Sequence, residues 1–187
     1  MTKLNHVALL TPDVRKAANK LEKLGLKIGQ EEVWDGEGTR EIYVGDHTHT
    51  GLLLLMEPIR EGAYQRALLK RGPGLHHLAI DVLSLEELIL GLGGSGWLLH
   101  PQSIKTMKAT QTAYLARPGI PTLIEVQERD RLNEKPLFVS CIELSISQEQ
   151  KSMFAALGLE DRVARSSSVT FLKIANHRLS VEELLSS

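Results

Sequence analysis

The segment Leu75-His76-His77-Leu78-Ala79-Ile80 repeats an earlier one, Leu4-Asn5-His6-Val7-Ala8-Leu9, at an offset of 71 residues. Without a gap, this offset pairs residues 6–57 with residues 77–128 and gives eight identities in 52 positions. Chance alone would give a few, so the shared pattern carries more weight. Each half opens with an apolar run, continues into a helix-like stretch that ends near a glycine, and closes with two apolar runs. The pattern predicts a duplicated structural unit.

Capping signals support this division. Thr11-Pro12-Asp13 is typical of a helix start, Ser84 and Glu87 form a capping box in the second half, and Ser147 and Gln150 form another further along. With the strand-like runs around these helices, each unit has the order βαβββ, and the predicted fold class is α+β with repeated βαβββ modules. The predicted organisation is a first module, a connecting helix and turn, a second module and a third, shorter βαβββ-like module, at 1–58, 59–74, 75–129 and 138–187.

The composition excludes several classes of protein. Of the 187 residues, 22 are Lys or Arg and 23 are Asp or Glu, so there is no basic excess for a nucleic-acid partner. No apolar run approaches the ~20 residues that span a bilayer, and the N-terminal segment lacks the apolar stretch of a signal peptide. Cys141 is the only cysteine, which excludes an internal disulfide or a cysteine zinc site. We therefore expect a cytoplasmic protein without membrane or nucleic-acid partners.

Two histidines and one carboxylate occupy related strand positions. His6 and His77 are equivalent in the repeat, Glu125 lies 48 residues after His77, and the residue 48 positions after His6 is Leu54. Alone, a strand histidine is usually a core or edge residue, and a strand glutamate is usually exposed. Together they are metal-ligand types, and a carboxylate among apolar residues is costly unless it is paired or coordinated. The pattern predicts a site made of His6, His77 and Glu125.

The same segments resemble a known superfamily. The runs His6–Leu10, Gly74–Val82 and Tyr114–Glu125 are similar to the vicinal oxygen chelate superfamily, and most of all to its methylmalonyl-CoA epimerases and glyoxalase I-like proteins. The resemblance covers about residues 3–129 and includes the run Leu52–Pro58. It implies paired βαβββ units whose curled mixed sheets surround a cleft. The cleft would hold one divalent metal (Zn, Ni, Co, Mn or Fe) and a small-molecule substrate such as an acyl-CoA or an oxo compound.

The resemblance also implies an activity and a set of roles. It suggests a metal-dependent isomerase or lyase, in which the metal chelates carbonyl or carboxylate oxygens of the substrate during proton transfer. His6, His77 and Glu125 would be the metal ligands, and Glu125 would also be a catalytic acid or base. Epimerases and glyoxalases place a Glu or Gln at the Leu54 position, where a leucine cannot coordinate. Glu57 would need a bulge to replace it, because alternation turns it to the other face of the strand.

A site with three ligands leaves two alternatives. A set of two histidines and one carboxylate also serves extradiol dioxygenases of this superfamily. With three Phe, three Tyr and two Trp, an aromatic-lined catechol pocket is not expected, and we interpret Tyr43 and Tyr114 as core aromatics. The other alternative is a non-catalytic, bleomycin-resistance-like binding protein, which the leucine at position 54 favours.

Other polar residues receive structural interpretations. We expect His76 to face away from its neighbour on a regular strand, and we expect His47 and His49 to lie in a solvated hairpin loop. A second catalytic carboxylate is expected near the third strand of the first module. Asp35 and Glu37 are candidates, although their surroundings are typical of a turn.

The remaining predictions concern partners. Arg117, Arg40 and Lys108 are candidates for binding an anionic group of the substrate, although scattered cations are usually solvated. The third module, 138–187, has no residue that matches a metal ligand. Its sheet must bury an apolar face, and pairing with a second copy through a two-fold axis is the economical solution, so a homodimer is predicted.

Overall fold

The computed structural model describes residues 2–186, with the side chain of Gln102 excepted. The strands of this part of the chain are β1 Thr2–Leu10, β2 Ile28–Trp34, β3 Thr39–Val44, β4 Leu52–Pro58, β5 Gly74–Val82, β6 Leu98–Leu99, β7 Thr112–Ala116, β8 Leu123–Glu128, β9 Val139–Leu144, β10 Val163–Arg165, β11 Phe171–Ile174 and β12 His177–Ser180. The α-helices are α1 Val14–Glu22, α2 Ala63–Arg71, α3 Leu85–Gly91, α4 Pro101–Thr110, α5 Gln148–Ser152 and α6 Val181–Leu185. A 3-10 helix, Met153–Leu157, follows α5.

Eight strands form one mixed sheet in the order β2-β3-β4-β1-β5-β8-β7-β6. β1 pairs in parallel with β4 and antiparallel with β5, which in turn pairs in parallel with β8. The first four strands and the next four strands therefore meet at β1 and β5, in the middle of the sheet. The sheet is mixed and does not close into a barrel, and the predicted α+β class with a glyoxalase-like arrangement is confirmed.

Strand alternation gives the central strands two different faces. One face packs in the main apolar core with α1, through residues such as Val7, Leu78 and Ile124. The opposite face carries His6, Ala8 and their neighbours on β4, β5 and β8. Polar groups on this second face therefore project into the cleft rather than into the main core.

Two carboxylates at repeat-equivalent strand ends hold the helices of the two halves. Glu57 Oε2 accepts a hydrogen bond from the backbone N–H of Val14 at 3.1 Å, and Glu128 Oε2 accepts one from Leu85 at 2.7 Å. These N–H groups begin α1 and α3, where no intrahelical acceptor is available and where negative charge is favourable. Glu57 therefore serves a helix on the outer face and does not replace the ligand that is lacking at Leu54.

The C-terminal sheet, in the order β10-β9-β11-β12, buries its apolar face on the main body of the chain. Ile142 and Leu172 from this sheet and Phe154 from the 3-10 helix are fully buried in the same core as β1 and β5. The indole N–H of Trp97 donates to the carbonyl of Met153 at 2.9 Å, which fixes the 3-10 helix against the second half. The main body of the chain, rather than a second copy, covers this face. The homodimer therefore stays a prediction, but the need to cover the C-terminal sheet no longer supports it.

Two helices are absent from the sequence prediction. Helix α4 lies between the very short strand β6 and β7, and its Ser103 hydroxyl accepts a hydrogen bond from the backbone N–H of Tyr114. Helix α6 follows β12, and the Lys20 ammonium group donates to the carbonyls of Glu183 and Leu184 near its C-terminal end. Within residues 2–186, no helix has the length and apolar character needed to cross a membrane.

Phe154→Ala is expected to lower the free energy of unfolding by about 3–5 kcal/mol, because it removes a fully buried aromatic ring. The ring also makes an edge-to-face contact with Trp97 at a centroid distance of 5.6 Å. Urea unfolding followed by circular dichroism measures the effect. Leu90→Ala, at a side chain that is 75% exposed, is the matched control and should change the stability by about 0.5 kcal/mol or less. Equal effects of the two substitutions would contradict the packing of the C-terminal module described above.

Candidate active site

His6, His77 and Glu125 lie together on three adjacent strands, β1, β5 and β8. The Nε2 atoms of the two histidines are 3.0 Å apart. Glu125 Oε2 lies 3.0 Å from His77 Nε2 and 3.9 Å from His6 Nε2. All three residues are buried, with exposed fractions of 4%, 1% and 8%. The structure thus brings the three predicted residues to one point of the cleft, while their role as metal ligands remains a prediction.

An irregularity in the β1–β5 pairing turns the residue before each histidine towards it. The register shifts at Asn5 and again at His76, so each is the extra residue of a bulge. Asn5 Oδ1 lies 2.8 Å from His6 Nδ1, and His76 Nδ1 lies 2.9 Å from His77 Nδ1. The prediction that His76 faces away from its neighbour assumed a regular strand. The bulge makes that prediction wrong, and His76 is buried against the site.

Burial controls the charge of the groups in the cluster. It lowers the pKa of His6 to about 3 and the pKa of His76 to about 3, and a positive charge on His77 would add to both effects. Burial would raise the pKa of Glu125, but the hydrogen bond from His77 and the interactions with His6 and Gln127 outweigh it and hold the pKa of Glu125 at about 2. At neutral pH the Glu125 carboxylate is therefore ionised, while the imidazoles of His6 and of the adjacent His76 are neutral.

All three tyrosines of the chain line the cleft around this cluster. The rings of Tyr43 on β3 and Tyr114 on β7 lie 5.8 and 6.2 Å from the rings of His6 and His77. Tyr64 reaches the same cavity from α2. The interpretation of Tyr43 and Tyr114 as core aromatics is therefore corrected, because their rings form walls of a cavity of about 180 Å³. Burial raises the pKa of all three phenols, so they remain neutral hydroxyl groups.

A second buried carboxylate, Glu41 on β3, faces the same cavity. Its Oε1 accepts a 2.7 Å hydrogen bond from the Thr39 hydroxyl. Burial raises the pKa of Glu41, and the bond from Thr39 opposes this effect in part. Glu41 was not among the carboxylates predicted from the sequence: of the two that were, Asp35 is an exposed turn residue, whereas Glu37 does line the cavity. Strand alternation places Glu41 and Tyr43 on one face, but it does not say which face of β3 lines the cavity.

The remainder of the cleft floor is apolar. Ala8, Leu10, Leu54 and Met56 form a small buried cluster, separate from the main core, against which α2 packs. Leu54 is the register partner of Ala8 in the β1–β4 pairing. β4 therefore contributes no side-chain ligand, and one side of the cluster faces hydrocarbon instead of a fourth polar group.

A larger cavity, of about 410 Å³, adjoins the site through His76, which lines it and contacts His77. Arg71 and Arg117 also line this cavity. Of the three cations proposed for an anionic group, only Arg117 is therefore placed near the site. Arg40 forms ion pairs with glutamates of β2 and β4, and Lys108 lines a separate pocket beside α3. His47 and His49 lie between β3 and β4, as expected of a loop.

Comparisons with known proteins give structural matches alone, since no family model and no curated protein sequence matches the chain. A hypothetical protein from Bacillus halodurans is 25% identical with a TM-score of 0.57, and the match covers 72% of this chain and 99% of that one. Methylmalonyl-CoA epimerase from Mycobacterium tuberculosis is 26% identical with a TM-score of 0.51, and coverage is 67% and 86%.

A methylmalonyl-CoA epimerase solved with methylmalonyl-CoA is 18% identical, with a TM-score of 0.53 and coverage of 71% and 99%, and it supports the fold alone. The matched share of this chain is close to the part before the C-terminal sheet. In this chain, the first two groups of four strands join at β1 and β5, and the buried cluster lies at the joint. The chain has the fold of the vicinal oxygen chelate superfamily, and methylmalonyl-CoA epimerases are among its structural relatives.

Proposed function

We propose that this chain is a metal-dependent isomerase, or a lyase of the glyoxalase type, that moves a proton next to a carbonyl group of an acyl thioester or oxo compound. The observation that carries the proposal is the convergence of two imidazole nitrogens and one carboxylate oxygen at the joint of the two halves. A further buried carboxylate, Glu41, faces the same cavity. The structural relatives with an epimerase activity support this class of reaction.

The side chains fit a divalent metal of the first transition row. Ligand atoms that share one such ion at ~2.0–2.2 Å lie roughly 3 to 4 Å from one another. The separations among His6 Nε2, His77 Nε2 and Glu125 Oε2 are 3.0, 3.0 and 3.9 Å. Two nitrogens and one oxygen suit Zn, Ni, Co, Mn or Fe. Because Leu54 contributes no fourth ligand, the remaining coordination positions would be free for two substrate oxygens.

A bound metal would act as a Lewis acid that polarises the substrate carbonyl and thereby increases the acidity of the adjacent C–H bond. Glu41 is the residue best suited to take that proton. Its carboxylate is buried, and burial raises its pKa, which makes it a stronger base than an ordinary glutamate. The Thr39 hydroxyl holds one of its oxygens, so the other can face the cavity. Return of the proton from Glu41 to the same face would complete α-proton exchange with the configuration retained, and inversion would require a second acid on the opposite face of the carbon.

Glu125 then acts mainly as a ligand. The pKa of about 2 that the neighbouring imidazoles impose makes its carboxylate a weak base. Gln127 Nε2 also donates to its second oxygen at 2.6 Å. The proton transfer is therefore assigned to Glu41, and not to Glu125 as the family resemblance implies.

The two cavities favour a substrate with a small reacting end and a larger anionic body. A space of about 180 Å³ beside the cluster suits a short acyl group, since pockets for whole small molecules usually exceed about 300 Å³. The adjoining space of about 410 Å³ carries Arg71 and Arg117, which suit phosphate or carboxylate groups. An acyl-CoA has both parts.

The test is α-proton exchange. We expect the zinc-, cobalt- or nickel-loaded chain to incorporate deuterium from D2O at the α-carbon of an acyl-CoA such as methylmalonyl-CoA, as measured by mass spectrometry. The chelated chain should give only the background rate. Parallel incubations with methylglyoxal and a thiol test the glyoxalase-type reaction. A metal-loaded chain that exchanges no α-proton and converts none of these substrates would contradict the proposed activity.

A second candidate activity is ring cleavage of a catechol by an extradiol-type dioxygenase. The observation that favours it is the ring of tyrosines around an open three-ligand cluster, with Tyr64 and His76 in contact at 5.1 Å between ring centroids. Anaerobic loading with Fe(II), followed by oxygen and catechol, should then produce a yellow ring-cleavage product. A colourless mixture under these conditions would exclude this candidate.

A further inference from the structure

We propose that Asn5 and His76 are positioning residues: Asn5 fixes the tautomer of His6, and His76 bonds to His77 in either tautomer, so that His77 can exchange its Nε2 proton for a metal. The inference rests on the proposed metal site, but its first test does not require a metal. It starts from the two bulges, which place a polar partner against Nδ1 of each histidine. These bulges lie at repeat-equivalent positions, 71 residues apart.

Asn5 can bond to His6 in only one way. Its Nδ2 amide donates to both oxygens of Asp81, at 3.0 and 2.9 Å. Asp81 is 5% exposed and its carboxylate is an acceptor only, so the amide nitrogen of Asn5 must face it. The Asn5 oxygen is then turned to His6 Nδ1 at 2.8 Å and can only accept a hydrogen bond. His6 must therefore carry its proton on Nδ1, and its Nε2 presents a lone pair to the cluster.

That lone pair determines the state of His77 in the metal-free chain. Two acceptors, His6 Nε2 and Glu125 Oε2, each lie 3.0 Å from His77 Nε2. If His77 Nε2 also lacked a proton, the lone pairs of all three atoms would face and repel one another. The proton of His77 is therefore on Nε2. Its Nδ1 is then an acceptor, and the partner that donates to it at 2.9 Å is His76 Nδ1–H.

A metal at the cluster requires the opposite arrangement of His77. Nε2 must lose its proton to coordinate, and a neutral imidazole then carries its proton on Nδ1. His76 can follow this change, because an imidazole nitrogen both donates and accepts, unlike the oxygen of Asn5. The protons balance: His76 gives its Nδ1 proton to His77 Nδ1, while His76 Nε2 takes up one proton in place of the one that leaves His77 Nε2. The pair stays neutral, because the proton displaced from His77 Nε2 is released on the side of the smaller cavity while His76 Nε2 takes one up from the larger cavity, which it lines.

The test is nitrogen NMR of the ring atoms in the ¹⁵N-histidine-labelled full chain, with signals assigned from His6→Gln and His77→Gln. In the metal-free wild type we expect protons on His6 Nδ1, His77 Nε2 and His76 Nδ1. After addition of zinc, the proton of His77 should be on Nδ1 and that of His76 on Nε2, with His6 unchanged. A His6 with its proton on Nε2, or a His77 whose tautomer is the same with and without bound zinc, would overturn the proposal.

Variants give a second readout through zinc affinity, measured by competition with a chromogenic chelator. Asn5→Ala and His76→Phe should each weaken zinc binding about 10–100-fold. His76→Asn should restore most of the affinity, because an amide can also donate or accept at the same place. An equal loss in His76→Asn and His76→Phe would show that the ring acts by packing alone, which overturns the role of His76. If the wild type binds no zinc, the proposed function fails. The metal-free NMR measurement still tests whether Asn5 holds the proton of His6 on Nδ1.

Discussion

Replacement of Glu41 by glutamine is expected to lower kcat for α-proton exchange about 10²–10⁴-fold, the usual contribution of a positioned general base. The amide keeps the size of the side chain and can still bond to Thr39, but it cannot accept the proton. Metal content should remain that of the wild type, because Glu41 is not among the three clustered ligand groups. The measurement is deuterium incorporation into an acyl-CoA by the metal-loaded variant, with elemental analysis of the same sample.

The matched control is Glu32→Gln. Glu32 is the register partner of Glu41 across the β2–β3 pair, but it is exposed and does not line the cavity. Its replacement removes a carboxylate from the same region and should leave exchange within about twofold of the wild-type rate, since an exposed charge outside the cavity is largely screened by solvent. A Glu41→Gln chain as active as this control would exclude Glu41 as the base and return that role to Glu125.

The metal-free chain is expected to lose stability steeply as the pH falls from 6.5 towards 3. His6 and His76 have a pKa of about 3 in the folded chain against an ordinary value of 6.5, so the unfolded chain binds more protons throughout this range. Each of them should reduce the free energy of unfolding by up to about 1.4 kcal/mol per pH unit. Glu125, whose folded pKa of about 2 lies below its usual 4.5, adds to the loss only below about pH 4.5.

Urea unfolding at pH 7, 6 and 5, in the presence of a chelator, measures the histidine part of this effect. His76→Asn removes one of the two groups and should show a smaller slope between pH 6 and pH 5, when each chain is compared with its own value at pH 7. A wild-type free energy of unfolding that stays constant from pH 7 to pH 5 would contradict the burial of neutral imidazoles at the cluster.

The repeat was sufficient to predict that His6 and His77 lie together, because equivalent residues of a duplicated unit occupy equivalent positions in its two copies. Where two βαβββ units join through equivalent edge strands, equivalent residues near the middle of those strands lie close together, and in this chain β1 and β5 carry His6 and His77. Glu125 followed from the cost of a carboxylate in an apolar run. Alternation correctly turned Glu57 away from the cleft, where it accepts a hydrogen bond from the backbone N–H of Val14.

What the sequence did not predict depends on irregular or long-range geometry. Strict alternation turned His76 outward, whereas a bulge, which no composition signal marks, turned it in. Glu41 was overlooked because its neighbours on β3 do not reveal which face is buried, and only the pairing with β4 determines it. What covers the C-terminal sheet likewise depends on tertiary packing. Its apolar face could have packed against a second chain, but it packs against the core behind β1 and β5.

The central claim is that His6, His77 and Glu125 bind one divalent metal, and elemental analysis tests it most directly. The wild type, His77→Ala, Glu125→Ala and the loop control His47→Ala would be reloaded with zinc, cobalt, nickel, manganese or iron and freed of excess ion. We predict about one ion per chain in the wild type and in His47→Ala, and none in the other two variants. A wild-type chain that retains none of these ions would contradict the claim and indicate a binding protein with a metal-free cleft.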